Sequence, residues 1–406
     1  MRTMLQRAIR EVESCDCGHP HHPLRFDEVL IKKGALKDAA AYLSQRSVSK
    51  AAMLVDQRTY EAAGSALKDY LAAEKVRIHV VELKPNENGD VLADEITIVQ
   101  ALLEIPQDCE MVIAVGAGTI HDIARFVSFK MKLPFLSVPT APSVDGFNSM
   151  GAPLIVRGEK RTFQLHAPVA LFADLNVLTQ APRVMRAAGF GDMIGKFTSL
   201  TDWTFSHLIG GEPFCPAVYR LTEQALKHCL HHMDEIAAGS EEGVRALMEG
   251  LILSGVAMLV FGHSHPASGG EHHLSHYWEM SALKANSKQQ LHGAKVGVSS
   301  QLVADRYKQE LTGILRQPEA QLAKWLEPSV RERLWANREK LEEALRFIPD
   351  AEFYRDSLDK MGGATSPDAL GIDEQQVRQG LKLAHRIRDR YTILRFLNEL
   401  EAKGLT

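Results

Sequence analysis

A chain of 406 residues exceeds what one ordinary hydrophobic core organises, so two domains are expected. Hydrophobic residues at 45% and charged residues at 24% are the proportions of a soluble globular protein. The 47 Lys and Arg against 51 Asp and Glu leave a net charge of −4, which gives no electrostatic reason for nucleic acid or an anionic membrane as the main partner.

In chain order, MRTMLQRAIREVES spreads its charges through the segment and has no continuous apolar core, so no signal peptide is expected. CDCGHPHHP follows, with Cys15, Cys17, His19, His21 and His22 able to bind a metal, although the spacing matches no standard zinc pattern and Pro20 and Pro23 suggest a flexible segment. Five cysteines are too few and too odd in number for a disulfide framework, which fits a reducing cytoplasm.

Short apolar runs then recur as AAMLVD (51–56), VRIHVVEL (76–83), MVIAVG (111–116) and PFLSVPT (134–140). Each has strand length, with helix-like stretches between several of them. The rhythm predicts a Rossmann-like α/β domain over 1–180 with a mostly parallel sheet covered on both faces. From 181 to 406 the period changes. Leu221, Ala225, Leu226, Cys229, Leu230, Met233 and Ile236 share one helical stripe, and Val244, Leu247, Met248 and Leu251 another. Asp373 with Gln376 predicts a capping box for a helix carrying Val377, Leu381, Ala384 and Ile387. No strand is expected beyond 180, so the second domain reads as all-helical. The longest apolar run, Leu251 to Gly262, is too short to span a bilayer.

Chemistry concentrates at two places. MVIAVGAGTIHDIARF puts Gly116 and Gly118 between a strand and a helix, where small residues let the backbone approach a phosphate and the helix N-terminus offers free N–H groups. The spacing is not GxGxxG, and a tight turn would use the same glycines. Asp56 ends an earlier strand and reads equally as a ribose acceptor or a helix N-cap. PTAPSVDGF (139–147) supplies Thr140, Ser143 and Asp145 at another strand end, where open α/β sheets bind ligands, though Asp145-Gly146 also suits a plain turn.

The second place holds six histidines: 263, 265, 272, 273, 276 and 292. His272 and His276, four apart, share a helix face, whereas His273 points about 100° away. His292 opens another helical pattern in LHGAKVG. An oxygen ligand would complete a three-ligand set with an open position, the arrangement of a catalytic metal, and Asp192 in GFGDMIGK offers one. Gly189 and Gly191 there suggest a loop or a close approach. Helix capping or core packing is the competing account of the histidines.

The ordered set GAGTIHD, PTAPSVDG, GDMIGK, GGEHHLSH and LHGAKVG resembles the glycerol-1-phosphate dehydrogenase family, in its bacterial AraM-type branch, over about 50–300; RIRDRYTIL near the end also looks familial. Wider relatives are glycerol dehydrogenases, iron-containing alcohol dehydrogenases and dehydroquinate synthases, which imply the dehydroquinate synthase-like fold. The resemblance implies that Gly116, Ala117, Gly118, Thr119, Ile120, Thr140, Ser143 and Ser149 hold NAD(H), with Asp56 on the adenosine ribose. It implies Asp192, His272 and His292 as ligands of one divalent ion, zinc or nickel, and Asp145, Asp192 and His276 facing the substrate. The implied reaction is reversible reduction of dihydroxyacetone phosphate to sn-glycerol 1-phosphate, by a homodimer. His276 is placed as a proton relay. Lys196 stands where iron-type relatives carry a further histidine ligand, and its charge suits an anionic substrate instead. Asp56 disfavours a 2′-phosphate, so NADH is expected over NADPH, with Arg58 able to compensate. Glycerol dehydrogenase activity on the unphosphorylated polyol and a dehydroquinate synthase-type lyase are the rival readings.

Overall fold

The computed structural model describes residues 2–405. Six parallel strands form the main sheet: β1 (Glu28–Lys32), β2 (Lys50–Val55), β3 (Arg77–Glu82), β4 (Met111–Gly116), β5 (Phe135–Pro139) and β8 (Ala170–Asp174). Their order is β1-β8-β5-β4-β2-β3. Between β5 and β8 lies an antiparallel hairpin of β6 (Gly151–Val156) and β7 (Glu159–Gln164).

The central strands are apolar along their whole length because both faces are covered. Met53, Val55, Ile113 and Val115 enter one core, while Ala52, Leu54, Val112 and Ala114 enter the other. That is the two-residue alternation of a strand with two buried faces. The covering helices include α2 (Ala35–Gln45), α3 (Ser65–Ala73), α4 (Glu95–Glu104) and α5 (Gly118–Met131); α1 (Arg2–Glu13) precedes them in the chain.

The four strand-like runs of the sequence are β2 to β5, and the remaining four strands gave no comparable signal. β1 and β8 are only five residues long, and β1 lies at the sheet edge with charges at both ends. β7 reads EKRTFQ, and the hairpin is closed by Arg157 and Gly158, both at positive φ, the two-residue turn whose twist matches its strands.

The last described strand ends at Asp174, and from Arg183 every described element is helical. The helices that matter for the site are α6 (Arg183–Ile194), α7 (Lys196–Leu208), α8 (Pro216–His231), α9 (Glu241–Phe261), α10 (Gly270–Lys284), α11 (His292–Arg306) and α12 (Glu374–Leu383). The expected capping box is present, with Asp373 and Gln376 exchanging bonds at the start of α12, but this helix stops at Leu383 and a short 3₁₀ turn takes up Ala384–Arg386. Length alone did not exclude a membrane span: α9 runs 21 residues and is apolar enough for one. Its burial places it in the core, since 83% of its apolar window is inside the protein.

GFGDMIGK forms no loop. Residues 189–194 are the end of α6, Gly195 is the junction and Lys196 begins α7, and the glycines of the α6 part serve close approach. A Cβ on Gly189 would lie 1.9 Å from the Pro142 carbonyl oxygen, and one on Gly191 would lie 2.4 Å from that of Gly293. From the other side, a Cβ on Gly293 would lie 1.9 Å from the Ala188 carbonyl oxygen. Helices α6 and α11 therefore touch backbone to backbone, which fixes the spacing of Asp192 and His292. Gly293→Ala is expected to lower stability by about 1–3 kcal/mol or more, the cost of overpacking a site with no side chain to give way, read as a fall in Tm by calorimetry.

Candidate active site

The sheet reverses its winding direction at β2 and β4, and ligands of open α/β folds bind beyond the strand ends at such a point. Asp56 follows β2, and Gly116 ends β4. Ala117 is the N-cap of α5 and supplies no side-chain cap, so the first N–H groups of a 14-residue helix face the opening. Gly116 itself lies behind the opening. A Cβ there would sit 2.5 Å from Ile120 Cγ1, so its role is to let the turn close. Ala117, Gly118, Thr119, Ile120, Thr140, Ser143, Ser149 and Asp56 all line one cleft of about 810 Å³. Asp56 is the helix N-cap, and its place on the cleft leaves it open to the other role. One carboxylate oxygen caps the next helix through Thr59 N–H at 2.8 Å, while the side chain fronts the cleft together with Arg58.

His121, in GAGTIHD, holds this turn from behind. Its Nδ1 lies 2.9 Å from the Ala117 carbonyl and its Nε2 lies 2.8 Å from Ser137 Oγ. Arg125, also fully buried, donates to the carbonyls of Gly146, Phe147 and Gly151 and to Asp122. It thereby ties α5 to the loop that carries Asp145 and Ser149.

Across the cleft, Asp192 (α6), His272 (α10) and His292 (α11) bring their ligand atoms within 4.8 Å of one another. One carboxylate and two imidazoles fit a divalent cation and leave positions open for a substrate. A second triplet, His276, Glu279 and His292, meets the same distance test. Glu279 is held between two cations, Lys160 at 2.7 Å and Lys295 at 3.1 Å, whereas Asp192 has one, Lys196 at 3.1 Å, which favours the set with Asp192. His272 is aimed by its neighbour: Nδ1 lies 2.7 Å from Glu271 Oε1, and Nε2 lies 3.5 Å from Asp192. With Nδ1 donating to that carboxylate, Nε2 presents its lone pair toward the ligand set, the usual outer support of a metal-binding histidine. Glu271 is held in turn by Thr198 Oγ1 and the Gly269 N–H.

Burial holds the His292 imidazole down to about 3, so it is neutral and able to ligate at ordinary pH. Burial opposes ionisation of Asp192, but Lys196, His272 and His292 together keep its carboxyl well below the usual range. Asp145 is pushed up by burial and by Asp192, and Lys196 works against that rise.

Lys196 does not meet the cleft as expected. It is fully buried, and its three ammonium protons have three acceptors: Asp145 at 2.8 Å, Asp192 at 3.1 Å and the Ala267 carbonyl at 3.1 Å. No N–H remains for a substrate phosphate. Besides Arg58 next to Asp56, the cleft cations are Lys160, Lys295 and Arg388, which the motif reading missed. Both lysines share Glu279. Arg388 has only uncharged hydrogen-bond partners among the described residues: Ser264, Ser268, Thr162 and His276. Its place in RIRDRYTIL was the available signal. His276 lines the cleft beside it and is held neutral by burial and by Lys160 and Arg388. Of the other histidines, His263 lines the cleft, His265 pairs with Glu212 at 3.1 Å, and His273 is buried away from it.

Residues 30–182 match the family model described as iron-containing alcohol dehydrogenase. Over 401 residues the chain is 49% identical to a protein of Geobacillus stearothermophilus named glycerol-1-phosphate dehydrogenase (NAD(P)+), covering 98% of this chain and 99% of that one. A namesake from Geobacillus thermodenitrificans is 48% identical over 400 residues, covering 98% of each. Among solved structures, an archaeal halo-thermophilic alcohol dehydrogenase from a Red Sea brine pool superposes with a TM-score of 0.64 at 14% identity, covering 90% of this chain and 92% of the other. The fold is thus that of the iron-containing alcohol dehydrogenase class. Within it, the chain belongs to the glycerol-1-phosphate dehydrogenase family.

Two measurements test this geometry. Glu271→Gln should keep the fold but weaken metal affinity by about 10–100-fold, read by competition with a chelator. His121 bears on pH. Burial, reinforced by Arg125, holds its folded pKa down to about 3, below the ordinary 6.5. Its contribution is therefore complete above 6.5 and is lost as pH falls toward 3. Unfolding free energies at pH 7 and 4 should show His121→Asn losing less than the native chain, by on the order of 3 kcal/mol.

Proposed function

We propose that the chain catalyses the reversible NAD(P)H-dependent reduction of dihydroxyacetone phosphate to sn-glycerol 1-phosphate. The observation that carries this reading is Arg388, a half-buried guanidinium among hydroxyls with no carboxylate partner among the described residues, on the same cleft as the Asp192–His272–His292 set. Such a group suits a phosphate far better than a neutral polyol, which weighs against a glycerol dehydrogenase.

When bound, a divalent ion at Asp192, His272 and His292, zinc or nickel in this proposal, supplies Lewis-acid polarisation of a carbonyl, and a nicotinamide supplies hydride. The remaining work falls to the chain. The α5 N–H groups receive the cofactor pyrophosphate, and Thr140, Ser143 and Ser149 line its path. Asp56 accepts from adenosine ribose hydroxyls. Arg58, beside it, gives a 2′-phosphate a cation to meet, so both cofactor forms fit. Arg388 and Lys160 hold the substrate phosphate, which fixes the ketone carbon against the cofactor. His276, neutral and adjacent, carries the proton that the alkoxide requires. Asp145 faces the substrate, and Lys196 keeps Asp145 and Asp192 ionised and oriented. Two copies of the chain form the working unit. Ile96, Val99 and Leu103 present an exposed apolar stripe on α4 that pairing would cover.

The test follows NADH absorbance with dihydroxyacetone phosphate after reconstitution with zinc or nickel. Asp192→Ala and His292→Ala should lose metal and activity together. Arg388→Met should raise the KM for the phosphorylated ketone tenfold or more, the loss of charge-assisted bonds of about 1.5–3 kcal/mol, with cofactor affinity unchanged. Activity that survives exhaustive chelation, or faster turnover of glycerol than of glycerol 1-phosphate, would overturn the proposal.

A further inference from the structure

The cysteine- and histidine-rich segment at 15–22 lies outside the cleft. Past the end of α1 the chain crosses the start of α8 and the end of α9. His22 N–H donates to the Val260 carbonyl at 2.9 Å, and His19 Nε2 lies 2.9 Å from the Phe261 carbonyl with its ring 4.2 Å from the Phe261 ring. Gly18, at φ +78, lets the chain fold back on itself between Cys17 and His19.

This path gathers four soft or borderline donors from distant parts of the sequence. Cys15 Sγ is 3.6 Å from Cys215 Sγ, Cys17 Sγ is 3.6 Å from His21 Nε2, and His21 Nε2 is 3.2 Å from Cys215 Sγ. All four ligand atoms lie within 4.8 Å of one another. A tetrahedral ion with metal–sulfur bonds of about 2.3 Å and metal–nitrogen bonds of about 2.0 Å separates its sulfurs by about 3.8 Å and sulfur from nitrogen by about 3.5 Å. A disulfide would need about 2.05 Å. The observed spacings are those of atoms sharing one ion.

Burial pushes the Cys215 thiol up, and the start of α8 works against that rise. Cys215 is the N-cap of the 16-residue helix α8, and its sulfur accepts from Val218 N–H at 3.4 Å. Helix N-termini and N–H···S bonds both stabilise the charged sulfur.

We propose that Cys15, Cys17, His21 and Cys215 form a structural zinc site, separate from the Asp192–His272–His292 set. Four protein ligands close the tetrahedron and leave no position for a substrate, so the site holds structure. On loading, each of the three thiols releases its proton to solvent as a zinc–sulfur bond forms, and His21 donates the Nε2 lone pair of its neutral ring. The ion fastens the N-terminal segment to the start of α8. Through His19 and His22 it braces the end of α9, beyond which His263, Ser264, Ala267 and Ser268 line the cleft. The C-x-C-x3-H spacing conceals the site because its fourth ligand, Cys215, lies in another part of the chain.

The test is metal analysis of the full chain purified under reducing conditions with zinc supplied. The native protein should carry two ions per chain, and Asp192→Ala should retain one. Cobalt-loaded Asp192→Ala should show intense sulfur-to-cobalt charge-transfer absorption. Cys17→Ser and His21→Ala, both in a partly exposed segment and so without the folding risk of Cys215→Ser, should each lose one ion and lower Tm while keeping NADH binding. Adding Cys17→Ser to Asp192→Ala should abolish the charge-transfer band. One ion in the native protein, or full retention in Cys17→Ser, would overturn the proposal. So would a Cys15–Cys215 disulfide, read as three reactive thiols instead of all five in unreduced, denatured protein.

Discussion

The ammonium of Lys196, enclosed between Asp145 and Asp192, is the constraint on which the site depends. Asp145 arrives on the loop after β5, Asp192 on α6, and Lys196 opens α7, so one buried ion cluster joins the nucleotide-binding half to the helical half. The Asp145 N–H also donates to Asp192 at 3.0 Å, which locks the two carboxylates in register. Taking these charges out of water is expensive, and losing one partner of such a group commonly costs about 3–5 kcal/mol. The return is a carboxylate in the candidate ligand set that stays ionised despite its burial.

Around this cluster, support radiates outward. Ser254 of α9 donates to Asp145 at 2.8 Å, Glu271 aims His272, and Thr198 holds Glu271. On the cofactor side Arg125 and His121 brace the β4–α5 turn from within the core. Asp145, Asp192 and His272 are therefore each positioned by another buried polar group.

What the sequence disclosed follows from the range of each signal. Strands β2, β4 and β5 are legible because burial on both faces demands continuous apolar runs, and β3 because its Val and Ile keep strand character at the edge; β1 and β7 carry charges, and β8, though buried, is a short ALFAD run. The convergence of Asp192, His272 and His292 could be anticipated because the two histidines lie in motifs opening helices. Glu271 stood in plain view beside His272 but has no spacing that marks it. Lys196 was recognised as a departure, yet its burial and its partners are products of tertiary packing. Arg388, Lys160 and Lys295 meet only when the hairpin and the chain's C-terminal part close over the cleft, and Cys215 reaches Cys15 only across the folded molecule. A linear pattern carries none of those encounters.

The glycine contact between α6 and α11 has a consequence for selectivity. Because the two helices meet through backbone atoms, no rotamer change in a neighbouring side chain can shift the backbones of Asp192 and His292 apart or together. The pair works as a caliper of fixed opening. Should a divalent ion be held there as proposed, helix packing adds a constraint on its radius beyond that of the ligands themselves.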